Sequence, residues 1–174
     1  GQAPARALGV PDVGLVTLSD LLAVAEPIAG GVDIPVLLDI EDGKGTAMHV
    51  YRAIQLAERA GLSAVLIEDA DLVPHLGAPK GDLVPVDTMV DKIKAAADAR
   101  RDPDFVLLVA SVGLREGRAK TEVMDRAAAY AEAGADGFWF PGLPMGENKE
   151  AFGVVKKPIM SIGGTIEEMK AVNV

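Results

Sequence analysis

The feature that most constrains this chain is a repeated unit, a short apolar run that stops at an acid, a Gly or a Pro and gives way to an amphipathic stretch. Val36-Leu37-Leu38 follows Pro35 and stops at Asp39, and Ala64-Val65-Leu66-Ile67 stops at Glu68-Asp69. Phe105-Val106-Leu107-Leu108-Val109 stops near Ser111, Gly137-Phe138-Trp139-Phe140 at Pro141, and Pro158-Ile159-Met160-Ser161-Ile162 at Gly163-Gly164. Such runs, lacking polar alternation, read as strands buried on both faces. Helices are expected between them at 47–60, closed by Gly61, at 86–99, opened by Asp87 or Thr88, and at 121–133, closed by Gly134. An earlier helix is expected at about 17–29. Strands that alternate with helices form parallel sheets, either doubly wound or closed into a (β/α)8 barrel.

Two segments favour the barrel. Ala57-Glu58-Arg59-Ala60-Gly61-Leu62-Ser63-Ala64 and Ala131-Glu132-Ala133-Gly134-Ala135-Asp136-Gly137 each run from a helix end through a Gly into a strand, as repeated βα units do. A doubly wound nucleotide fold would carry a Gly-rich phosphate turn after an early strand. The nearest candidate, Gly43-Lys44-Gly45, follows Asp39, Glu41 and Asp42, which would repel a pyrophosphate. At 174 residues the chain is short for a barrel of about 250. Five strands are clear, and the first residues are read as the tail of a sixth. The expectation is a single partial (β/α)8 TIM-type barrel over residues 1–174, of five to six βα units, in a truncated chain or one completed by a partner.

Composition narrows the function. Lys and Arg number 17 against 26 Asp and Glu, a net charge of −9, which argues against a nucleic-acid surface. The absence of Cys removes disulfides, thiolate metal sites and a cysteine nucleophile. No run approaches the roughly 20 apolar residues of a membrane span, and the first residues do not read as a signal peptide. A soluble cytoplasmic protein with no membrane or nucleic-acid partner is expected. Aromatic residues make up only 4%, so the core is one of Val, Leu, Ile, Ala and Met. Trp139 is expected to pack between strand and helices.

Barrel active sites lie at the C-terminal ends of the strands. Here one strand ends in Asp39, Glu41 and Asp42, and the next in Glu68, Asp69 and Asp71. Adjacent strands are ~4.8 Å apart. Either these acids cap the helices that follow, or they crowd one rim and recruit a hard cation such as Mg²⁺.

At these residues the chain resembles the isocitrate lyase/phosphoenolpyruvate mutase superfamily. Pro35-Val36-Leu37-Leu38-Asp39-Ile40-Glu41-Asp42-Gly43-Lys44-Gly45 resembles its "P-hydrophobic-D-x-D-x-G-Y-G" segment, and Ile67-Glu68-Asp69 its "I-E-D". Lys92-Ile93-Lys94-Ala95-Ala96, with Arg100 and Asp102-Pro103-Asp104-Phe105, is similar to "K-I-x-A-A...R-x-D-P-D-F". Ala129-Tyr130-Ala131-Glu132-Ala133-Gly134-Ala135-Asp136 and Leu8-Gly9-Val10-Pro11-Asp12 complete the series. The resemblance implies a barrel that uses Mg²⁺ or Mn²⁺ to act on a small 2-oxo or 2-hydroxy acid through an enolate, in a homo-oligomer. It implies Asp39 as direct metal ligand, Glu41 and Glu68 holding metal-bound waters, and Asp12 as an acid near the metal. Gly1 and Gln2 fall where the family binds a substrate carboxylate through backbone N–H groups.

Three departures refine this. The loop Val73-Pro74-His75-Leu76-Gly77-Ala78-Pro79-Lys80-Gly81-Asp82-Leu83 lacks the Cys of the family's lyases and is more similar to the oxaloacetate decarboxylase branch, with His75 as a candidate proton donor. Ser111 stands where the family has a substrate-clamping Arg, leaving Arg115 or Arg118 to reach back. Lys44 replaces the usual Tyr, and either supplies positive charge near the substrate carboxylate or pairs with Glu41 or Asp42. The implied function is a carbon–carbon lyase, decarboxylase-like or methylisocitrate lyase-like. The alternatives are phosphonopyruvate mutase or hydrolase chemistry, and a degenerate member that only binds ligand.

Overall fold

The computed structural model describes residues 2–71, 82–162, 165 and 167. Two helices, α1 (Gln2–Leu8) and α2 (Leu18–Gly30), precede β1 (Leu37–Asp39). Then α3 (Ala47–Arg59), β2 (Ala64–Glu68), α4 (Val86–Ala99), β3 (Val106–Ala110), α5 (Lys120–Ala133) and β4 (Gly137–Trp139) alternate. A 3₁₀ turn at Met145–Glu147, α6 (Asn148–Val155) and β5 (Ile159–Met160) follow. The helices begin and end where local chemistry dictates. Thr17 and Asp20 cap α2 reciprocally. His49 Nδ1 accepts from the Thr46 N–H at the start of α3, so this histidine is an exposed capping residue. Gly61 and Gly134 take the left-handed conformations that end α3 and α5. Helix α4 spans 86–99 as expected, but its N-cap is Pro85, so Asp87 lies in its first turn rather than at the N-cap.

The first residues are not a strand. Gln2–Leu8 is helical, with Pro4 in the first turn, where its missing N–H costs nothing. The segment QAPARAL also holds no β-branched residue to favour an extended chain.

Among the described residues the five strands are parallel, in the order β1-β2-β3-β4-β5. An order without reversal has no switch point, which separates it from a doubly wound sheet. The helices follow the same sequence, with α3 against α4, α4 against α5 and α5 against α6. This is the arrangement of consecutive units in a TIM-type barrel.

Side chains divide by the two-residue period of the strands. Leu38, Val65, Ile67, Leu107, Val109 and Phe138 enter the main core with the helices. Leu66, Leu108, Ala110, Trp139 and Met160 form a second cluster on the inner face. The inner face is only partly covered: Leu37 is 40% exposed and Val106 37%, so the strands are not buried on both sides. Trp139 lies on that inner side, contrary to expectation, because Phe138 already faces the helices and its neighbour must face the other way.

Phe138→Ala is therefore expected to lower unfolding free energy by about 3–5 kcal/mol, while Val106→Thr on the open face changes it by less than about 0.5 kcal/mol. Urea denaturation of the two variants measures both.

Candidate active site

The site grows from the turn after β1. Asp39 ends the strand, and its Oδ1 accepts the Glu41 N–H at 2.8 Å. The chain then reverses through left-handed residues at Glu41 (φ 54), Gly43 (φ 87) and Lys44 (φ 57). Gly43 is required by space as well as by angle, since a Cβ there would meet Val50 Cγ2 at 2.5 Å. The turn is pinned from outside: the Glu68 N–H donates to the Glu41 carbonyl at 2.6 Å, and the buried ammonium of Lys92 donates to the Asp42 carbonyl at 2.7 Å. Lys92 lies in a motif noted in the sequence, but nothing local announced that it crosses from α4 to this turn.

Glu68 ends β2 on the inner face. In register, Asp39 pairs with Leu66 and Glu68 with Ala110, so the carboxylates of adjacent strands gather at one end of the sheet. Glu68 is 2% exposed and Glu41 1%. Burial pushes the Glu68 carboxyl up to about 7, and the charge of Asp39 adds to this, while Arg115 opposes it. Burial also works to raise Glu41, but the hydrogen bond and charge of Lys44 contribute to a net shift below the usual range. Lys44 Nζ is ion-paired with Glu41 Oε2. Of the two roles open to Lys44, pairing with Glu41 is the one observed.

Arg115 reaches back to the rim, with Nη2 3.5 Å from Glu68 Oε2 and Nε 3.1 Å from Glu116 Oε1. Arg118 instead pairs with exposed Asp82. Ser111 does not face the inner side. Ala110 does, so the next residue turns to the helices, where the Ser111 hydroxyl donates to Asp69 Oδ2 at 3.1 Å. Ser111 is fully buried, and its hydroxyl is engaged in this internal contact. Asp69 also accepts from the Val112 N–H at 2.8 Å and Tyr130 OH at 3.2 Å, and Arg126 donates to that phenol oxygen and to the Val84 carbonyl. Burial raises the Asp69 carboxyl, and these donors oppose it. This network ties β2, β3 and α5 together just beneath the rim, and no sequence spacing reveals it.

Asp12 is buried in the connection between α1 and α2. Residues 14–17 of that connection, with Leu18 and Ser19 of α2, line a cavity of about 500 Å³ together with Glu41, Asp42, Lys44 and Asp71. Gln2, exposed at the start of α1, shares a second groove with Leu37 and Asp39. Gly1 and His75 lie outside the described residues.

Among the described residues, no three acidic or histidine side chains come together as a metal cage. Within this rim Glu41 is ion-paired with Lys44, and Glu68 lies 3.5 Å from Arg115 Nη2. The donor set still fits Mg²⁺, a hard cation that keeps several waters and takes one or two carboxylates directly. The Glu68 carboxyl is raised first by burial and then by the charge of Asp39, and a cation held at this rim would offset both.

Residues 1–170 match the phosphoenolpyruvate phosphomutase family, and the chain belongs to it. It is 35% identical over 162 residues to an oxaloacetate decarboxylase of Bradyrhizobium sp. (strain ORS 278), covering 93% of this chain and 56% of that one. It superposes on a 2,3-dimethylmalate lyase of the PEP mutase/isocitrate lyase superfamily with a TM-score of 0.84, at 27% identity, over 99% of this chain and 63% of that one. A phosphonopyruvate hydrolase in complex with oxalate and Mg²⁺ gives a TM-score of 0.73 at 27% identity, over 97% of this chain and 68% of that one. The chain thus spans about half the length of the curated relative it matches. Among the described residues, no helix is long and apolar enough to cross a membrane.

A carboxyl raised on folding binds its proton more tightly in the native state than in the unfolded one. Its stabilising effect is complete below the ordinary value of 4.5 and lost as pH rises through about 7. The metal-free protein should therefore lose stability across that window, on the order of 3 kcal/mol from Glu68. Chemical denaturation at pH 4.5–8 should show a flatter profile for Glu68→Gln.

Proposed function

We propose that this chain carries the catalytic rim of a divalent-cation-dependent carbon–carbon lyase for small 2-oxo acids, with oxaloacetate decarboxylation as the specific reaction. The observation that carries the reading is the placement of Asp39, Glu41, Glu68 and Arg115 together at the C-terminal end of a parallel barrel-type sheet, where carboxylates for a hard cation meet a guanidinium for a carboxylate. Similarity to an oxaloacetate decarboxylase and to a neighbour bound to oxalate and Mg²⁺ supports it.

Asp39 would hold the ion directly, with Glu41 and Glu68 on its water ligands and Asp12 as an outlying acid. When bound, Mg²⁺ or Mn²⁺ supplies positive charge to the substrate oxygen that becomes negative as the carbon–carbon bond breaks. Arg115, half-exposed and only loosely engaged at 3.5 Å, is positioned to turn from Glu68 to a substrate carboxylate. Leu66, Leu108 and Trp139 give the rim an apolar floor. Loss of CO₂ leaves a carbanion equivalent that takes one proton, and His75 is the candidate donor from the sequence. We further propose that the chain works in the cytoplasm as a homo-oligomer.

A second reading, phosphonopyruvate cleavage, is favoured by the likeness to phosphonopyruvate hydrolase. With oxaloacetate, pyruvate release should need Mg²⁺ or Mn²⁺, cease with EDTA and fall at least about 100-fold in Asp39→Ala; Arg115→Gln should raise KM about tenfold. Turnover no faster than free metal alone would sink the lyase assignment. Phosphate release from phosphonopyruvate, followed by phosphorus NMR, would establish the second reading. A rise in Tm with Mg²⁺ and oxalate but no turnover of either compound would leave a ligand-binding protein.

A further inference from the structure

Lys44 is more than a neighbour of the rim. Its backbone is fixed in the left-handed region at φ 57, its N–H is held by Asp42 Oδ1 at 2.9 Å, and Gly43 before it tolerates no side chain. The turn is anchored again by Lys92 on the Asp42 carbonyl. The Lys44 ammonium is thereby delivered to Glu41 by the backbone rather than by a free surface rotamer. The pair is also shielded, with side chains 14% and 1% exposed, unlike the surface pair of Arg118 and Asp82 at 42% and 86%. Shielding from water and salt makes such a pair matter far more than an exposed one.

We propose that Lys44 is a resident counter-ion of the metal site: its ammonium holds Glu41 when no metal is bound and competes with the divalent cation for that carboxylate. The inference rests on the proposed role of Asp39, Glu41 and Glu68. Metal loading then requires the ammonium to be displaced from Glu41, so Lys44 sets the metal concentration at which the site fills. Arg115 makes a longer contact with Glu68 from a separate loop and is the weaker competitor.

The test is direct Mn²⁺ binding to the EDTA-treated chain, followed by the loss of the free-ion signal in electron paramagnetic resonance. Lys44→Gln is expected to bind Mn²⁺ about tenfold more tightly than wild type or better, as removal of a shielded competing charge requires. Lys44→Gly, which suits the left-handed backbone, should do the same if the Gln variant folds poorly. Lys44→Arg, which keeps the charge, should stay within about threefold of wild type. In a Glu41→Gln background the gain from Lys44→Gln should vanish, because the carboxylate in contention is gone. If wild type binds Mn²⁺ and Asp39→Ala abolishes that binding, yet neither neutral Lys44 variant binds more tightly, the counter-ion role is wrong and the proposed function stands. If neither wild type nor the Lys44 variants bind Mn²⁺, both are wrong.

Discussion

Three carboxylates, those of Glu41, Glu68 and Asp69, are withdrawn from water at one edge of the sheet, and the surrounding structure is organised around keeping them satisfied. A buried carboxylate without partners is costly enough to unfold a domain of this size. Each has a different answer here. Asp69 receives a backbone N–H and two hydroxyls, Glu41 receives an ammonium from its own turn, and Glu68 has a long contact to Arg115 and a carboxyl pushed up to about 7. The gradient from a fully satisfied acid beneath the rim to an under-satisfied one on it separates structural support from chemistry.

That gradient follows from strand geometry. Glu68 ends β2 looking inward, and Asp69, the next residue, looks toward α5 by the alternation of strand side chains. The same alternation sends Ser111 to the helix side and Trp139 to the inner side. A position that fits a family motif can thus carry its residue into a different environment. Ser111 serves the support network, and the guanidinium at the rim comes from four residues further on.

Much of the fold was legible from the chain alone, because strand and helix periodicities are local. The apolar runs marked every strand to within about two residues, and Gly61 and Gly134 marked helix ends through their backbone preference. The opening helix was missed because a short Ala-rich segment with an early Pro has no strong period in either direction. Burial of the inner strand face is not legible in apolar runs, which do not reveal what stands opposite them. Of the site, Asp39, Glu41 and Glu68 were readable as acids at strand ends. Lys92, Tyr130 and Arg126 were not, since their partners lie on other elements.

The sequence by itself determined the order of the elements, the parallel barrel-type sheet and the end of it at which the acids lie. These depend on patterns a few residues long and on the handedness of parallel crossovers. Only the tertiary structure decided which cation meets which acid. Arg115 is 47 residues from Glu68, and Lys92 is 50 from Asp42. Such pairings are set by the register of neighbouring strands and by the packing of one helix against the next, and no local period encodes either.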